Sequence, residues 1–127
     1  MAQYNPASGE RTFKAGADLS AKQFYIVKLD TVQNQVVLAS AATDKLIGTL
    51  LNAPVLGQEA RVHMNVGTTK VVASGVIALG AFVTSDGSGK GASTTTDKDK
   101  VIGIALQAAA ADGDIIEVAC FPGMLSV

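Results

Sequence analysis

A repeat governs what this chain can fold into. Asp44-Lys45-Leu46-Ile47-Gly48-Thr49-Leu50-Leu51-Asn52-Ala53 returns fifty-five residues later as Asp99-Lys100-Val101-Ile102-Gly103-Ile104-Ala105-Leu106-Gln107-Ala108. After a one-residue slip, Leu56-Gly57 through Arg61-Val62 matches Asp112-Gly113 through Glu117-Val118. Upstream, Ile26-Val27-Lys28-Leu29-Asp30 stands loosely opposite Phe82-Val83-Thr84-Ser85-Asp86. Self-similarity at this spacing is the mark of a duplicated supersecondary unit. Two related β units packed with approximate internal symmetry is the favoured reading; chance similarity between two hairpins of biased composition is the alternative. Gly48 and Gly103 fall inside the repeated strands, where glycine marks a bulge or a close backbone approach. A small twisted barrel needs such points.

The apolar runs are short, rich in β-branched residues and punctuated by Gly, Asp-Gly or Asn-Gln, which predicts strands. They cover residues 24–29, 35–38, 46–51, 59–64, 70–73, 82–85, 101–106 and 114–121. Residues 59–64 alternate, so Ala60, Val62 and Met64 share one face. Residues 114–121 are apolar at most positions of both faces, which predicts a strand covered on both sides. Helix signals are weak. Residues 18–23 fit one turn capped by Asp18 or Ser20, and residues 107–111 are stopped at once by Asp112-Gly113-Asp114. The expected fold is all-β, a small β-barrel or β-tulip-like domain with at most short helical turns. It would occupy residues 13–127 as one domain, preceded by a flexible arm over residues 1–12.

Composition narrows the function. Hydrophobic residues make up 48% of the chain and charged ones only 17%, so part of the apolar surface is expected to be buried against other chains. A net charge of −1 and 5% aromatics leave neither a basic footprint nor stacking platforms for nucleic acid. Cys120 is the only cysteine and His63 the only histidine. No intrachain disulfide or cysteine-based metal site is therefore expected, and Cys120 reads as a small buried hydrophobe. The start of the chain lacks a basic segment followed by an apolar one, and no apolar run is long enough for a membrane helix. A cytoplasm-like compartment, or something assembled there, is the expectation.

The stretch Ser85-Asp86-Gly87-Ser88-Gly89-Lys90-Gly91 invites comparison with a phosphate-binding loop. That pattern needs Gly five residues before the Gly of the Gly-Lys pair and Ser or Thr after the Lys. Here those positions hold Thr84 and Gly91. A helix must also begin at the loop to face the anion, whereas Ala92-Ser93-Thr94-Thr95-Thr96 is poor in helix formers. A flexible hairpin loop is the expected structure. Asp112-Gly113-Asp114 lacks the further oxygen ligands of a calcium loop. No cofactor, metal or catalytic residue is expected.

Placed in order, several segments resemble a known family. They are Phe13-Lys14-Ala15-Gly16, Ile47-Gly48-Thr49-Leu50, Gly67-Thr68-Thr69-Lys70-Val71-Val72, Gly80-Ala81-Phe82-Val83, Ile102-Gly103-Ile104-Ala105-Leu106 and Gly113-Asp114-Ile115-Ile116-Glu117-Val118. The chain from about Phe13 onward resembles the small capsid cement, or head decoration, proteins of tailed bacteriophages. The resemblance implies a non-catalytic virion protein that binds the outside of an expanded shell of major capsid protein and stabilises it. It also implies self-association, commonly as a homotrimer, with assembly in the host bacterial cytoplasm. A tail or baseplate-associated β module is the alternative, and a small nucleotide-binding protein the less favoured one. Gln3, Tyr4, Asn5 and Pro6, with Phe13 at the root, would form a capsid-binding arm with Tyr4 as aromatic anchor. An ordinary frayed terminus is the competing reading of the same residues.

Overall fold

The structure is a computed structural model that describes residues 9–64 and 67–126. It has ten strands and, among those residues, no helix. β1 (Glu10–Ala15), β2 (Ile26–Leu29), β3 (Gln35–Leu38), β4 (Leu46–Leu50) and β5 (Glu59–His63) close into a barrel in the order β1-β3-β2-β4-β5. β6 (Thr68–Val72), β7 (Phe82–Ser85), β8 (Gly91–Ser93), β9 (Lys100–Ala105) and β10 (Ile115–Met124) form a second sheet in the order β6-β10-β9-β7-β8. All eight predicted runs carry a strand. β1 escapes prediction because only Phe13 and Ala15 of Glu10–Ala15 face the core. β8 escapes it because three small residues carry no pattern.

β1 starts earlier than the sequence boundary at residue 13. Glu10 lies opposite His63 and Arg11 opposite Val62, so residues 10–12 are part of the barrel wall. Residues 18–23 form turns rather than helix. The Ser20 amide donates to Asp18 Oδ1 at 3.1 Å, and this side-chain turn competes with a helical one. Leu19 drops into the barrel core.

The sequence repeat is a repeat of the fold. Val27 pairs with Gly48 as Val83 pairs with Gly103, and Thr49 with His63 as Ile104 with Ala119. The barrel closes through a parallel pairing of Ala15 with Val36; the second sheet has the same contact as a single parallel bridge, Ala73 to Gly91. Loop bonds recur too. The Leu19 amide donates to the Pro54 carbonyl at 2.9 Å, and the Ile77 amide to that of Ala109 at 3.1 Å. The Gly57 amide donates to Ala15, and the Gly113 amide to Ala73. Residues 10–63 and 68–124 are thus two copies of one five-stranded unit.

Each unit has its own core, the barrel around Val27, Val36, Leu50 and Val62 and the second sheet around Val71, Val83, Ile116 and Val118. The alternation of residues 59–64 holds: Ala60 and Val62 are buried, and Met64 packs half-buried against the barrel core. Ile26 belongs to a barrel strand but is buried in the core of the second unit. Beside it, Thr49 Oγ1 and Thr69 Oγ1 share a buried hydrogen bond of 2.7 Å between the units. Replacing Thr49 alone by Val strands the Thr69 hydroxyl, at an expected cost of about 1–3 kcal/mol. The double replacement T49V/T69V should recover most of that loss in urea unfolding; simple additivity would show that the hydroxyls are not coupled.

β10 departs from expectation. Ile116 and Val118 point inward, but Ile115, Glu117 and Phe121 are exposed. Within one chain this strand is covered on one face only.

Candidate functional site

The Gly-Ser-Gly-Lys stretch forms the β7–β8 connection. Asp86 Oδ1 accepts from the Ser88 amide at 2.8 Å and from the Lys90 amide at 2.9 Å. A phosphate would need those amides, and a carboxylate of this chain already holds them. Lys90 Nζ is 2.8 Å from Asp112 Oδ1. Gly89 has φ +82°, and its carbonyl accepts from the Ile26 amide of the barrel at 2.7 Å. A Cβ on Gly89 would come 3.0 Å from the Ile26 carbonyl oxygen. The glycine is needed because this turn clasps one unit onto the other, which is a packing role.

Cys120 and His63 do come together, lining a crevice between the barrel and the second sheet with Thr49, Met64 and Thr69. Burial pushes the Cys120 thiol above its ordinary pKa, which disfavours the thiolate that nucleophilic chemistry requires. Asp114 Oδ2 accepts from the Ala110 and Ala111 amides and so fixes its own loop. Among the described residues, no group of three or more His, Cys, Asp or Glu could hold a metal ion.

Gln3, Tyr4, Asn5 and Pro6 lie outside the described residues. Phe13 is 7% exposed in the barrel core, with the Arg11 guanidinium 4.2 Å from its ring centroid. Its side chain is packed in the barrel core and offers little surface for a partner.

What the described chain does present is apolar surface, unevenly distributed. Seven of the eleven exposed large hydrophobic side chains lie in the second unit. At its centre the Phe82 and Phe121 rings meet edge to face, 6.2 Å between centroids and 85° between planes. Ile104 and Ala119 continue the same row across β9 and β10. The sequence predicts a β10 covered on both faces; the signal, apolar residues at both parities of the strand, indicates cover without saying whether it comes from the chain itself or from outside it. Contiguous exposed apolar surface of this kind marks a protein–protein contact.

An all-β scaffold that offers surfaces for contact defines a structural binding module. A family model described as phage cement protein matches residues 10–120, and the chain belongs to that family. It is a structural, capsid-stabilising protein of the phage head. The fold is similar to that in the crystal structure of the head fiber gp8.5 N base of bacteriophage phi29, with a TM-score of 0.68 and 16% identity over 93% of this chain and 98% of that one. At that identity the likeness is one of fold. No curated protein sequence matches the chain.

Proposed function

We propose that the protein binds the outer surface of the expanded capsid as a homotrimer and stabilises it by contact alone, without catalysis, cofactor or nucleic acid. Family membership over residues 10–120 carries this reading, and the apolar surface of the second unit supports the self-association. A ligand that binds only one state of a shell stabilises that state by mass action. Three linked copies multiply modest individual contacts. Assembly onto the head would take place in the host bacterial cytoplasm.

The test is co-sedimentation with expanded shells of the source phage that lack the protein, against unexpanded shells. Saturable binding to expanded shells only is the expected outcome. Binding to neither would move the protein to the tail or baseplate. Gln3, Tyr4, Asn5 and Pro6 would add contacts as an arm. Deleting residues 2–8 should weaken shell binding about tenfold, equivalent to roughly 1.4 kcal/mol, and leave the trimer intact. Gly9 is kept because its carbonyl accepts from the Met64 amide. Unchanged affinity of the shortened protein would reduce residues 2–8 to an ordinary terminus.

A further inference from the structure

The two units pack head to tail, and this gives the free face of the second an occupant. On the barrel, Ile26, Thr49 and His63 form a row across β2, β4 and β5. The second unit lies over that row: Ile26 and Thr49 are 0% exposed, the first inside the neighbouring core and the second bonded to Thr69. Through the repeat, the counterparts of Ile26, Thr49 and His63 are Phe82, Ile104 and Ala119. Among the described residues no second unit lies over these: Phe82 is 37% exposed, and Ile104 and Ala119 are partly exposed.

The residue types sharpen the contrast. Where the covered row has Thr and His, the uncovered row has Ile and Ala, with Phe in place of Ile and the Phe121 ring edge to face beside it. A surface that faced water would be expected to become more polar than its buried twin, and this one is more apolar.

The other side of the contact follows from the same symmetry. The turn that clasps the barrel, residues 86–90, lies over Ile26 through Gly89. Its counterpart in the barrel is the β2–β3 turn, residues 30–34. The same bond closes both, Asp86 amide to Lys90 carbonyl and Asp30 amide to Gln35 carbonyl. Gly89 and Asn34 are both at positive φ, +82° and +66°. This barrel turn carries Val32, 54% exposed, with the exposed Leu29 at its base. An apolar tip on a turn and an apolar row without cover occupy complementary positions in the repeat.

We propose that the β2–β3 turn of one copy docks on the Phe82–Ile104–Ala119 row of the next, repeating between chains the packing that joins the two units within one. The contact is heterologous, so each copy uses both surfaces, and such contacts either close into rings or run on. The count of three copies rests on the cement reading above; the two surfaces do not.

Sedimentation of the full chain at about 10 μM tests this, the concentration being one at which a low-micromolar contact is populated. The wild-type protein should sediment as a closed oligomer. Phe82→Asp, Phe121→Asp and Val32→Asp should each give monomer with unchanged far-UV circular dichroism, and Leu56→Asp, an exposed apolar residue elsewhere on the barrel, should leave the oligomer intact. Mixing the Phe82→Asp and Val32→Asp proteins at high concentration should yield a species of twice the monomer mass, because each retains the surface the other lacks. A monomeric wild type, variants that keep the wild-type mass, or a mixture that stays monomeric would each overturn the proposal. Shell co-sedimentation separates the two ideas: an oligomer that binds no shell defeats the cement placement alone, and a monomeric wild type that binds shells defeats this interface alone.

Discussion

Gly103→Ala should be strongly destabilised, and Gly48→Ala should behave in the same way. The two glycines occupy equivalent places in the two units, at φ +158° and +155°. A Cβ on Gly103 would sit 1.8 Å from the Ala119 carbonyl oxygen, and one on Gly48 would sit 2.0 Å from that of His63. Both obstacles are backbone atoms of the neighbouring strand, so no side chain can rotate away. Relief requires parting β4 from β5, or β9 from β10, at the pairings that build each unit. The cost should be on the order of 4 kcal/mol or more, the range reserved for a short list of mechanisms that includes forced overpacking. Against a typical stability of about 5–15 kcal/mol, that removes much of the margin. Gly87→Ala is the control, since a Cβ there meets nothing within 4 Å, and its effect should stay within about 0.5 kcal/mol. Urea unfolding of the three variants reads the difference. A Gly103→Ala protein as stable as Gly87→Ala would mean that the strands separate freely at this point and that the glycine has no structural role.

These glycines also show what kind of information the sequence held. Gly48 and Gly103 stood out because they recur in matching strands, and a duplicated close approach needs a glycine in each copy. Strand positions were legible where β-branched residues clustered, as at β2, β7 and β9. They were not legible where the strand is held by its neighbours: β1 gains its place from pairing with both β5 and β3, and β8 from pairing with β7. The surfaces were half legible. Alternation on β10 identified residues that require cover, but a pattern along one strand does not say whether a sister unit or a sister chain provides it. Only the comparison of Ile26 with Phe82, one buried by the second unit and one left uncovered, separates those cases. The Gly-Ser-Gly-Lys stretch forms the hairpin turn its sequence predicts, yet its actual work, the clasp through Gly89, depends on a contact with Ile26 more than sixty residues away.

Ile26→Ala is the second large effect, and it asks whether the duplicated units fold as one. Ile26 is a barrel residue by sequence and a second-unit residue by packing, fully buried among Val71, Val83 and their neighbours. Removing its outer carbons leaves a cavity that neither unit can close without moving against the other. Substitutions of this kind cost about 2–5 kcal/mol, and roughly 3 kcal/mol in a chain of this length lowers the melting temperature by about 10 °C. Because the Ile26 amide also joins the units, donating to the Gly89 carbonyl, the loss should be felt by both halves together. Calorimetry should then show one transition, shifted down, with the calorimetric and van't Hoff enthalpies equal. Two separated transitions, with only one of them moved, would show instead that each copy of the repeat is its own folding unit and that the junction is a docking contact. In that case the chain would be a pair of subunits tied by residues 64–67, and the packing inside one chain and the packing proposed between chains would differ only in the link.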